Sequence, residues 1–124
     1  MRKKLHFTKA EWKDNQLELH TDQPETLADV KASGQVIVDS DATAFVYLAE
    51  ENDEFIYLYI HESTWAEIQT ALQKESKLFA AGADTSIELI GWKEELSDLI
   101  ENIQGNSNYG DQMVESVERV FINQ

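Results

Sequence analysis

The sequence predicts an α+β fold: a mainly antiparallel sheet of about five strands, a hairpin plus a three-stranded meander, with three principal helices packed on it. Three stretches carry that expectation. Gln35 to Ile60 reads as the meander, with Val36-Ile37-Val38, Thr43 to Glu50 and Glu54 to Ile60 separated by the turn-prone clusters Asp39-Ser40-Asp41 and Glu51-Asn52-Asp53. Trp92 to Gln104 carries Trp92, Leu96, Leu99, Ile100 and Ile103 on one helical face and is stopped by Gly105. The first twenty residues alternate apolar and polar residues on either side of Asp14-Asn15, a two-residue hairpin turn.

In chain order, Leu5 and Phe7 alternate with polar residues, and so do Ala10 and Trp12, but the parity slips between Phe7 and Ala10. A bulge near Thr8-Lys9 is the expected correction. Leu17 and Leu19 make the returning strand. Pro24 suits the first turn of a short helical segment that spaces Leu27 and Val30 three apart and ends by Gly34. In the meander, side-chain alternation is read as placing Ile56, Leu58 and Ile60 with Val46 and Leu48 on one face. Phe45, Tyr47, Phe55, Tyr57 and Tyr59 then fall on the other.

Beyond Ile60 the period changes to that of a helix. Thr64 with Glu67 has capping-box spacing, and Trp65, Ile68 and Leu72 form a stripe ending near Lys74. Lys77 to Ala80 is weakly strand-like, Gly82-Ala83-Asp84 is a turn, and Ile87 to Leu89 is a short edge strand. After the loop Asn106 to Gly110, a helix from about Asp111 presents Val114, Val117 and Phe121. Trp12, Trp65 and Trp92 are read as core anchors. No linker or repeat divides the 124 residues, so residues 1–124 are expected to form a single domain.

Composition bounds the function. The net charge is -14, and the bases are crowded at the start: from Asp14 onward five face 23 acids. Phosphate backbones and anionic lipid repel such a surface, so direct nucleic-acid or membrane binding is disfavoured and a basic protein partner is favoured. The absence of cysteine removes thiol chemistry, disulfides and Cys-ligated zinc. Met1-Arg2-Lys3-Lys4 is not followed by an apolar core, and no apolar run approaches the ~20 residues of a spanning helix, so a cytoplasmic protein is expected.

The chemistry-bearing residues have bland readings beside the functional ones. His6, His20 and His61 lack metal-ligand spacing and are read as structural. Asp39 and Asp41 flank Ser40 in a turn, where their side chains bond the nearby backbone. Gly105 to Gly110 resembles an anion-cradling loop only in its glycines. No Lys-Ser/Thr follows, and Asp111 stands where the anion would sit. A helix-to-helix turn is therefore expected, with Gly105 at positive φ and Asn108 as the N-cap. The serines have no histidine at a diagnostic spacing, so no catalytic residue, metal ligand or cofactor is assigned.

Three segments carry a resemblance: Gly34 to Asp41, His61 to Trp65, and above all Ile103-Gln104-Gly105-Asn106-Ser107-Asn108-Tyr109-Gly110. They resemble a small uncharacterised family of bacilli and staphylococci, over nearly the whole chain. That resemblance implies a cytosolic bacterial protein and transfers no site.

An interaction or adaptor protein that binds a basic protein is the leading functional expectation. Its candidate surface is the acidic stripe Glu94, Asp98 and Glu101, together with Phe45, Tyr47, Tyr57 and Tyr59 of the aromatic face. Covered by the first hairpin, that face leaves a monomer; left partly uncovered, it predicts a partner site or a homodimer. The alternatives are a small ligand-binding or enzymatic domain using Asn106, Asn108, Tyr109 and Gly110, and an acidic mimic of nucleic acid.

Overall fold

The computed structural model describes residues 3–123. Their eight strands form two mixed sheets of four. The first has the order β1-β6-β5-β4, from Lys3–Phe7, Glu54–His61, Ala44–Glu51 and Val30–Asp39. The second has the order β2-β3-β7-β8, from Lys9–Lys13, Gln16–His20, Leu78–Ala81 and Ser86–Glu88. Three helices complete it: α1 (Trp65–Lys74), α2 (Trp92–Ile103) and α3 (Asp111–Val117), which runs on as a π turn over Glu118–Ile122. The α+β class stands, whereas the single, mainly antiparallel sheet of about five strands is replaced by two sheets, each containing a parallel pair, β1–β6 or β3–β7.

The parity slip at Thr8 is a change of sheet, not a bulge. Leu5 and Phe7 are buried opposite Leu58 and Ile60 of the first sheet, and then β2 pairs with β3 in the second. Thr8 is the pivot: its N–H donates to the His20 carbonyl at 3.1 Å, and its carbonyl accepts from the Ser63 hydroxyl at 2.6 Å. Both backbone groups are thereby satisfied at a point where neither ladder serves them. The irregularity that the meander does contain lies in β4, between Ala32 and Gln35.

The helical segment expected after Pro24 does not form. Leu27 and Val30 are joined by a turn in which the Val30 N–H donates to the Leu27 carbonyl at 3.1 Å, and Val30 already begins β4. An apolar pair spaced three apart fits a single turn as well as a helix, and strand pairing with Glu51 decides it.

The two sheets and the three helices share one core, with Trp65, Leu17, Leu19, Leu58, Ile103 and Met113 among its buried side chains. α1, α2 and α3 follow the expected bounds closely. The Thr64 hydroxyl, however, donates to the His61 carbonyl at 2.8 Å instead of capping α1, so the capping box is unused. Trp65 and Trp92 are core anchors; Trp12 is not, being 37% exposed with the Lys74 ammonium 5.1 Å from its ring centroid.

Candidate functional site

Register decides what the faces of the first sheet carry. In an antiparallel pair, directly opposed residues share a face. Phe45 opposes Ile60, and Tyr47 opposes Leu58, so the aromatics of β5 join the aliphatic residues of β6 on the core side. Phe45 and Tyr47 are completely buried there. The expected aromatic face is thus split, with Phe55, Tyr57 and Tyr59 of β6 left on the outward side. Register, not residue type, sets which side chains of β5 and β6 share a face.

The outward face is a lattice of three rows. Asp39, Ala44 and His61 form the first; Ile37, Val46, Tyr59 and His6 the second; Gln35, Leu48, Tyr57 and Lys4 the third. Beyond them, Phe55 stands opposite Glu50 at 47% exposure, and Ile37 is 45% exposed. Ala44, Val46 and Tyr59 are buried and form, with the half-buried Leu48 and Tyr57, a small apolar cluster separate from the main core. None of the described helices supplies a member of that cluster. A shallow cavity of about 350 Å³ opens here, lined by Lys4, Ile37, Asp39, Asp41, Tyr57 and Tyr59 among others.

The polar groups of this face are engaged with one another. The Tyr59 hydroxyl donates to Asp39 Oδ2 at 2.7 Å, and the Ala42 N–H donates to Asp39 Oδ1 at 3.2 Å, the turn bond expected of Asp39. The Tyr59 hydrogen bond, above all, holds the Asp39 carboxyl below its ordinary value. Lys4 places its ammonium 5.4 Å from the Tyr59 ring centroid. His6 Nδ1 and His61 Nε2 lie 2.8 Å apart, and both rings lie against Tyr59.

That histidine pair escaped the sequence reading because the two residues stand 55 positions apart on parallel strands. The visible signal was parity: His6 alternates with Leu5 and Phe7, and must point away from the core. His20 lies elsewhere, on β3, with Nε2 3.1 Å from Glu18 Oε1 and 3.4 Å from Glu11 Oε2.

Burial pushes the His61 pKa below the ordinary value of 6.5, and the neighbouring His6 adds to the effect. The unfolded chain therefore takes up this proton at higher pH than the folded chain does. Below that ordinary value the unfolded state binds the extra proton, so the His61 contribution to stability falls as pH drops from there towards the depressed folded value. A titration of the histidine ring C–H resonances checks it: His61 is expected to titrate at lower pH than a histidine in the urea-unfolded chain. An equal or higher midpoint contradicts the effect.

Glu94, Asp98 and Glu101 are all exposed on α2. None of them belongs to the ion pairs among the described residues, and Lys93, the nearest base, extends to Glu75 at 3.5 Å. Glu95 behaves differently, its carboxylate accepting from the Val36 N–H of β4 at 3.3 Å and so occupying part of a sheet edge.

The loop from Gly105 to Gly110 closes on itself. The Gly105 N–H donates to Glu118 Oε2 at 2.9 Å, and those of Asn106, Tyr109 and Gly110 donate to the carbonyls of Ile103, Asn106 and Ser107. Asn106, not Asn108, supplies the capping side chain, its Oδ1 accepting from the Asn108 N–H at 3.1 Å. With these donors committed and the Glu118 carboxylate at its mouth, the loop offers an anion little. Gly105 sits at φ +68 with nothing within 4 Å of an added Cβ. Gly105→Ala is accordingly expected to cost about 1 kcal/mol in denaturant unfolding, from backbone strain alone. A neutral result contradicts that strain.

A sequence profile of a family of unknown function, UPF0738, matches residues 5–121, nearly the whole described chain. The chain belongs to the UPF0738 family. The UPF0738 protein YjbL of Bacillus subtilis strain 168 is 41% identical over 122 residues, covering 98% of this chain and all of that one. A UPF0738 protein of Bacillus pumilus is 40% identical over 122 residues, and one of Geobacillus sp. strain WCH70 39% identical over 123, with 98% of this chain covered in each case and 100% and 99% of theirs. No solved structure matches. UPF0738 membership bears out the resemblance drawn from the sequence, and no activity comes with it. Among the described residues, no helix is long and apolar enough to cross a membrane.

Proposed function

We propose that this UPF0738 protein is a small cytoplasmic interaction protein that docks a basic protein partner on α2. The observation that carries this reading is the exposed stripe of Glu94, Asp98 and Glu101, which no described ion pair relieves while Lys93 is drawn off to Glu75. Like charges at these spacings cost an isolated helix roughly 0.2–0.5 kcal/mol per pair. The stripe therefore works against the fold, and a basic partner would relieve it. The bland account is a solvated face that aids solubility.

Capture from lysate by the parent and by a Glu94→Gln, Asp98→Asn, Glu101→Gln triple variant separates the two. Docking predicts a captured basic protein that the variant loses and that added salt releases. Equal capture by both, with the variant merely more stable, removes docking. Release of the captured protein by added DNA, with a nucleic-acid-binding protein as the catch, favours the acidic-mimic reading instead.

A further inference from the structure

We propose that His6 and His61 form a two-imidazole site for a borderline divalent cation, Zn²⁺ or Cu²⁺. The facing nitrogens, His6 Nδ1 and His61 Nε2, stand 2.8 Å apart on the outward face of the first sheet. At that distance one ring donates N–H to the lone pair of the other. Moving this proton to the far nitrogen of the same ring leaves two facing lone pairs, with both imidazoles neutral and no proton lost. The ring centroids lie 5.0 Å apart, so the rings meet nearly head-on and must turn for both lone pairs to reach one ion.

A tetrahedral ion with bonds of about 2.0–2.1 Å separates two such nitrogens by ~3.3 Å, so as the rings turn the nitrogens part by about 0.5 Å. The backbone keeps them in register, since β1 is pinned by buried Leu5 and Phe7 against Leu58 and Ile60. His61 stacks on Tyr59 and is half-buried, whereas His6 is exposed and has room to turn. Imidazole selects borderline metals over Mg²⁺ and Ca²⁺. Among the described residues no group of three His, Asp or Glu is placed to hold an ion, so water fills the remaining positions. The chain's net charge of -14 concentrates cations around the site, with Asp39 on the same face adding attraction for the ion and Lys4 opposing it.

Calorimetric titration of the full chain with Zn²⁺, with Mg²⁺ in excess to occupy surface carboxylates, tests the site. One equivalent is expected for the parent and for His20→Asn. His6→Asn and His61→Asn should each weaken binding about ten-fold or more. Cu²⁺ as a spectroscopic probe of the parent should show coupling to two imidazole nitrogens in its electron paramagnetic resonance spectrum, a result independent of how any variant folds. No saturable binding by the parent, binding lost only in His20→Asn, or a Cu²⁺ spectrum without nitrogen coupling overturns the proposal.

Discussion

Trp65→Ala is expected to destabilise the protein by about 3–5 kcal/mol, the range for emptying a buried tryptophan site. Trp65 is fully buried at the start of α1, with its ring centroid 4.9 Å from that of Phe45 and 5.6 Å from that of Phe121. It thereby joins β5 to α1 and to the π turn that ends α3. Its indole N–H also donates to the Ile60 carbonyl at 3.1 Å, a bond that alanine cannot replace. Urea unfolding measures the cost. A loss under about 1 kcal/mol would show that the three elements do not meet at this ring. Trp12→Ala is the contrast: Trp12 is 37% exposed on β2 with the Lys74 ammonium over its ring, and its loss should cost clearly less than that of the fully buried Trp65.

Tyr47→Phe is expected to cost about 2 kcal/mol or more, although it removes a single oxygen. The Tyr47 hydroxyl donates to the Ile90 carbonyl at 2.5 Å and accepts from the Gly34 N–H at 3.0 Å. It thus joins the irregular part of β4 to the segment leading into α2. Removing it orphans one acceptor and one donor, each worth about 1–3 kcal/mol when buried. Burial also raises the hydroxyl pKa above its ordinary value of 10.0, which keeps it a proton donor throughout the neutral range. The same denaturation experiment decides: a near-neutral effect would show that the Ile90 carbonyl and the Gly34 N–H do not depend on this hydroxyl.

Local periodicity was legible and long-range register was not. The three helices, the Asp14-Asn15 turn and the meander follow from spacing and turn residues close together in sequence. The parallel pairing of β1 with β6 joins residues more than fifty positions apart, and no local pattern announces it. Without that pairing, the slip at Thr8 reads as a bulge, and His6 and His61 remain unrelated. Leu27 and Val30 misled for another reason: a helix and a single turn share the i, i+3 spacing, and only the ladder with β5 separates them. The face assigned to Phe45 and Tyr47 failed because the β5–β6 turn sets which parity of one strand meets which parity of the next. At the candidate surfaces, the acidic stripe could be read from helical spacing. The Tyr59–Asp39 bond and the histidine pair needed the sheet.

The proposed attraction of a basic partner to α2 through charge is tested most directly by the salt dependence of association. With a purified captured partner, the association rate constant is to be measured for the parent and for the Glu94→Gln, Asp98→Asn, Glu101→Gln variant as ionic strength is raised. Steering by the stripe predicts a rate that falls steeply for the parent, and a slower, flatter profile for the variant, because exposed charges are screened over about 8 Å at physiological salt. Identical salt slopes for the two proteins would contradict it and leave Glu94, Asp98 and Glu101 as solvated surface.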